Sequence, residues 1–205
     1  MAEIGTAWTA RGAWTGIVAP GAFGGPGDGV KVCLREGLGM ASLIAGREQE
    51  PALGRALKSR YGLALPTGPS VVSSASHSLA WAGPGQWLLV AASRAGFAED
   101  CAGLAETAAV AEQSDGRAVL SLSGSMVGKT LAKGCMVDLH PRAFPVGMTA
   151  LTSIAYIGIQ LWRSEDGPDG AVYQILVPRS MAGSFWSWLS ASAAEFGCAI
   201  TTADA

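Results

Sequence analysis

The sequence is short of charge. Lys, Arg, Asp and Glu make up only 15% of its 205 residues, where about 25% is usual. Its 14 basic and 16 acidic side chains form no Lys- or Arg-rich run. Strong nucleic-acid binding needs a clustered basic face, so no nucleic-acid partner is expected. Histidine is scarce, with His77 and His140 only, and the cysteines Cys33, Cys101, Cys135 and Cys198 include no C-x-x-C pair. Local metal motifs are therefore missing, and scattered thiols suit a reducing compartment. No run of ~18 apolar residues is available to span a membrane. Glu3 stands where a leader would be basic, and Gly, Thr and Trp break up any apolar stretch behind it. Together these absences lead to the expectation of a soluble, cytoplasmic protein.

What is present is apolar. Hydrophobic residues make up 49% of the chain, and an apolar exterior is most easily carried against a partner. Residues 1–29, ending in "GAFGGPGDG", have no period and many turn formers, so they read as an irregular arm. Trp8 and Trp14 are costly to leave in water, so the arm is expected to drape over protein. From Val30 the pattern becomes regular. "VKVCLRE" and "MASLIA" read as strands, "PALGRALKSRYG" as a helix, and "SLAWAG" with "QWLLVAA" as a hairpin. Residues 95–109 read as a second helix. "DGRAVLSLSG" is a strand, "SMVGKTLAKG" a short helix closed by Gly134, and "LTSIAYIGIQLWRS" and "AVYQILVPRS" two long strands. A last helix runs from Ser180, as N-cap, to Phe196, with Gly197 as stop and "AIT" as a closing strand. This order, β-α-β-β-α-β approximately twice, predicts an α+β fold. Two split βαβ halves, about 30–110 and 111–205, pack together, each an antiparallel sheet with helices on one side.

The chemical motifs mostly dissolve on inspection. "LSGSMVGKT" imitates a phosphate loop, but only three residues separate Gly124 from Gly128, where four are required. Read as helix, it turns Val127 and Leu131 inward and Lys129 and Lys133 to water. "DLHPRAFPVG" gathers Asp138, His140 and Arg142 within five residues. Pro141 and Pro145 make it a stiff loop, either a connector whose Asp and His bond nearby backbone or an interface loop. Arg117 opens a mostly apolar strand and is expected to pair with a carboxylate. No histidine stands close behind Ser114 to activate it, so a hydrolase triad has no support there. In the last helix Ala182, Phe185, Trp186, Leu189, Ala193 and Phe196 form one stripe. Trp188 lies roughly 100° away on the side of Met181, at a core edge or a subunit contact. No catalytic, cofactor-binding or metal residue is left. The candidate subunit-contact residues are Trp188, Met181, Asp138, His140, Arg142 and Arg117.

The segments "EQSDGRAVLSLSG", "LAKGCMVDLHPRAFPVG", "TSIAYIGIQLW" and "RSMAGSFWSWLSASAAEFG" together resemble the gamma subunit of heterotetrameric sarcosine oxidase. The resemblance covers roughly residues 30–198 and is strongest from Gln113 onward. It implies a fold similar to the folate-binding module of aminomethyltransferases. It implies a place in a complex that oxidises sarcosine to glycine, makes hydrogen peroxide and delivers the methyl carbon to tetrahydrofolate. FAD, FMN, NAD, tetrahydrofolate and zinc are then expected in the alpha, beta and delta partners, with alpha the main contact and no cofactor on this chain. Glu112, where such folds usually carry Asp, and Gly128-Lys129-Thr130, where related chains often carry Arg, depart from the pattern. The alternative is a stand-alone folate-binding protein of the aminomethyltransferase type.

Overall fold

A computed structural model describes residues 11–203 of the chain. Among the described residues twelve strands are formed: β1 Gly21–Phe23, β2 Val30–Arg35, β3 Gly39–Ile44, β4 Val71–Ser73, β5 His77–Gly83, β6 Gln86–Ala91, β7 Ala109–Glu112, β8 Arg117–Ser123, β9 Thr149–Ile154, β10 Ile157–Gly167, β11 Gly170–Pro178 and β12 Cys198–Ala203. The α-helices are α1 Glu50–Tyr61, α2 Phe97–Leu104, α3 Val127–Ala132 and α4 Ala182–Ala193. No helix among the described residues is long and apolar enough to cross a membrane.

The strands form two sheets, ordered β4-β5-β6-β3-β7 and β1-β12-β2-β8-β11-β10-β9. In the smaller sheet, β3-α1-β5-β6-α2-β7 is a complete split βαβ unit, with β4 added at the β5 edge. In the larger, β8-α3-β10-β11-α4-β12 repeats the plan, but β2 is wedged between β8 and β12. It pairs antiparallel with β8 and parallel with β12. Val30–Arg35 thus belongs to the sheet of the second half. The first half's sheet begins at Gly39, not Val30.

Helices cover one face of each sheet, and the two bare faces meet. Leu53, Leu57, Phe97 and Leu104 fill the space under α1 and α2. Val127, Leu131, Phe185 and Leu189 do so under α3 and α4. Met40, Leu88, Val119, Trp162 and Leu176 form the seam between the sheets. The result is four layers, helix–sheet–sheet–helix, which gives every amphipathic element one apolar neighbour.

Local chemistry explains most boundaries. Pro51 lies in the first turn of α1, and Gly62 closes it in the left-handed region, donating to Lys58 O. Three expectations need correction. The stretch 95–109 is not one helix: Thr107 folds back on Leu104 O through both its N–H and its hydroxyl, and β7 follows against β3. "LTSIAYIGIQLWRS" is not one strand: Ala155 and Tyr156 reverse it into the β9–β10 hairpin. Ser180 does not cap the last helix, because a 3₁₀ turn, Arg179–Met181, precedes α4 and no side chain caps its start.

The arm is tied down where it is described. Trp14 is 1% exposed, and its indole N–H donates to Val119 O at 2.8 Å. The backbone N–H groups of Ala13 and Trp14 both donate to the Glu36 carboxylate at 3.1 Å. Gly21–Phe23 is not irregular, since it pairs with β12 as an edge strand. Trp8 lies outside the described residues.

Candidate subunit-contact face

The false phosphate loop is a strand-to-helix junction. Gly124, at φ 108°, passes so close to Gly29 that a Cβ would lie 2.4 Å from its carbonyl oxygen. Thr130 is fully buried and donates its hydroxyl to Met126 O, four residues back in the same helix. A phosphate loop would turn that hydroxyl outward to a metal. Lys129 stands exposed, so helix packing explains the segment.

Beyond α3 the chain passes beneath α4. A methyl group on Gly134 would come within 2.8 Å of the Trp188 ring. That ring is half-buried and lies 5.8 Å from Phe185 at a 53° tilt. Trp188 is therefore largely core edge. The chain then ladders onto the free edge of β9, with Met136 N donating to Ser153 O and Ala155 N to Gly134 O. This brings two exposed apolar side chains to the rim of the larger sheet: Met136 is 74% exposed and Tyr156 99%. Tyr156 and Ala155 hold φ of 63° and 50°, a region that β-turns of this kind normally fill with Asn and Gly.

The loop 138–147 is fixed by its own bonds. Asp138 Oδ1 accepts from His140 N at 2.8 Å, His140 Nδ1 accepts from Arg142 N, and His140 O accepts from Ala143 N and Phe144 N. Fully buried Phe144 anchors it, and its carbonyl accepts from Arg163 Nη1 at 3.0 Å. Tyr173 donates its hydroxyl to Leu139 O. Between this loop and α3 lies a groove of about 540 Å³, lined by Gly128, Ala132, Met136, Leu139 and His140. Asp138 Oδ1 is committed to the backbone, which leaves His140 and Arg142 on the surface as polar rim.

The other two candidates lie elsewhere. Arg117 begins β8 and pairs in register with Pro178, and Met181 follows shortly after. Both are at the end of β8 remote from α3. Arg117 does not meet a carboxylate among the described residues. Its Nε donates to Gln113 Oε1 at 2.9 Å, and burial holds its guanidinium below the usual arginine range. Met136, Asp138 and His140 thus line one groove with Arg142 exposed just beyond it, Trp188 packs on Gly134, Tyr156 stands apart at the β9–β10 turn, and Arg117 and Met181 lie elsewhere. Sequence reading missed Met136 and Tyr156. The signal for Tyr156 would have been a turn residue, and Ala-Tyr carries none.

A second polar cluster ties the smaller sheet together. Asp100 on α2 accepts from the Tyr61 hydroxyl at 2.9 Å and lies 3.1 Å from His77 Nε2. Ser76 Oγ is 2.9 Å from His77 Nδ1, and the Tyr61 ring stacks on the imidazole at 4.2 Å. The cluster links α1, β5 and α2, and the stacked ring covers one face of the histidine. Among the described residues no three His, Cys, Asp or Glu side chains converge as a metal site.

With this geometry the chain can be set beside known proteins. Over 138 residues it is 35% identical to a sarcosine oxidase subunit gamma from Arthrobacter sp, spanning 65% of this chain and 68% of that one. A second, from Corynebacterium sp. (strain P-1), is 33% identical over 69% and 70%. A chain in the solved heterotetrameric sarcosine oxidase from Corynebacterium sp. U-96, in complex with pyrrole 2-carboxylate, superposes with a TM-score of 0.71 and 27% identity over 82% of this chain and 85% of that one. An aminomethyltransferase T of a glycine cleavage system, from Bartonella henselae, matches 85% of this chain with 48% of its own length, at TM-score 0.60 and 14% identity. That last likeness is one of fold alone. Residues 45–195 match the model of the sarcosine oxidase, gamma subunit family, and the chain belongs to that family.

Proposed function

We propose that this chain is the gamma subunit of a cytoplasmic heterotetrameric sarcosine oxidase and serves its assembly, with the alpha subunit as main contact. In this reading the reaction, sarcosine to glycine with hydrogen peroxide and methylene-tetrahydrofolate, runs on FAD, FMN, NAD, tetrahydrofolate and zinc held by the alpha, beta and delta partners. This chain contributes no reacting group. Family membership supports the reading.

The observation that carries the assembly role is the exposure of Met136, beside the 137–141 groove, and of Tyr156, at the β9–β10 turn of the same sheet rim. Burying each would contribute about 1.5–3 kcal/mol. A methionine beside His140, with an exposed tyrosine on the same sheet rim, matches the apolar and polar make-up of protein interfaces. A turn that keeps a tyrosine in left-handed backbone costs stability in the free chain and suggests a use for the side chain elsewhere.

The test is co-expression with the alpha, beta and delta chains, followed by size-exclusion chromatography and a sarcosine-dependent peroxide assay. The expected result is a stoichiometric, flavin-coloured complex containing this chain, and no activity from the chain alone. Full assembly and activity of the other three without it would refute the assembly role.

A further inference from the structure

Of the ten arginines in the sequence, five line one cleft on the opposite side of the smaller sheet's entry strand. Arg11, Arg35, Arg94, Arg117 and Arg179 converge there from the arm, the end of β2, the turn after β6, the start of β8 and the end of β11. Leu38, Met40 and Val119 supply apolar lining, and the cleft measures about 320 Å³. The chain as a whole carries a net charge of −2, so this concentration of cations is local.

Two carboxylates share the cleft, and both are already committed. Asp115 takes a bidentate grip from Arg94, at 2.7 and 2.6 Å. Glu36 accepts the backbone N–H groups of Ala13 and Trp14. Arg179 donates to the carbonyls of Arg11 and Gly12. That leaves Arg11, which is exposed to solvent, and the partly buried Arg35 and Arg117. Among the described residues neither Arg35 nor Arg117 meets a carboxylate, and Arg117 has only the amide oxygen of Gln113. Arg35 keeps a buried Nε with no hydrogen-bond partner among the described residues. A buried, unpaired donor on a charged group costs free energy that folded proteins seldom leave uncompensated. With the part-buried Arg117, which has an amide and no carboxylate as partner, facing the same cleft, an anion would compensate both, and their planar forks suit carboxylate or phosphate oxygens.

We propose that this cleft binds a small anion bearing carboxylate or phosphate oxygens, held by Arg35 and Arg117. The cleft is closed on one side by the chain's own arm, and its volume is roughly that of ten waters, a size for a metabolite-like anion. The proposal is independent of the assembly role.

The experiment is thermal denaturation of the full chain with pyrophosphate or citrate as probes at low ionic strength. Phosphate and carboxylate chemistry are separated by which probe acts. A probe at about ten times its Kd should raise the melting temperature by about 4 °C. Arg35→Met should abolish the rise while melting no lower than the wild type without anion, since the apolar side chain removes an unpaired donor. Arg117→Met should reduce the rise. A control, Arg47→Met with Arg55→Met, alters exposed arginines outside the cleft and should keep it. No rise with either probe in the millimolar range, or an undiminished rise in Arg35→Met, would overturn the proposal. A response of the free chain that disappears in the assembled complex would assign the site to an acidic side chain of a partner, and would likewise overturn the small-anion reading.

Discussion

Single residues carry more of this fold than their types announce. As a pure subunit contact, Trp188 would be replaceable without harm to the isolated chain. With Gly134 packed beneath its ring, Trp188→Glu should instead destabilise the free protein by about 2–4 kcal/mol. Urea unfolding of the free chain measures this, and an unchanged midpoint would return Trp188 to the surface. Cys198 is another case. It is buried at the start of β12, and burial pushes its thiol from 9.0 to about 11. A raised thiol is favoured in its neutral form by folding, so its contribution is intact below about pH 9.0 and is lost as pH rises towards about 11. The stability difference between wild type and Cys198→Ala should shrink on the order of 2 kcal/mol between pH 8 and pH 11, read by urea unfolding of both. A constant difference would show that the thiol titrates alike in both states.

At the scale of elements, turns and pairing decide what strand patterns leave open. Ala155 and Tyr156 hold left-handed backbone without glycine or asparagine. The double substitution Ala155→Asn, Tyr156→Gly should stabilise the free chain by about 1–2 kcal/mol, because it suits the turn and Tyr156 buries nothing of its own fold. The same change should weaken co-purification with the alpha chain, since it deletes the exposed ring. Stabilisation without loss of co-purification would separate Tyr156 from assembly. The sequence hid this turn because "IAYI" carries no turn residue and looks like continuous strand. It hid β7 for the opposite reason: Ala105 and Ala108 continue the apolar spacing of α2 beyond the point where Thr107 ends the helix. The helix α1, with its apolar stripe and glycine stop, was legible almost to the residue, and α4 was legible as a helix, although 3₁₀ turns replace both of its expected ends.

For the molecule as a whole, the two-sheet arrangement places the contact face at the β9 rim and the arginine cleft at the far end of β8. Mutations at one should leave the other unaffected. Met136→Lys should lower assembly about tenfold or more and leave both free-chain melting and the anion response unchanged. Pull-down against the alpha chain, with melting curves alongside, checks this, and wild-type affinity would exclude Met136 from the interface. The sequence by itself determined the α+β class, the doubled split βαβ order and the family resemblance, because periodicity, caps and turn residues are local properties. It also ruled out the phosphate loop by spacing alone. Only the tertiary structure decided that Val30–Arg35 joins the larger sheet, that Arg117 meets a glutamine and not a carboxylate, and that arginines from five separate segments share a cleft. Strand partners and charge neighbours depend on residues far apart in the chain, and no local pattern encodes which of them folding will bring together.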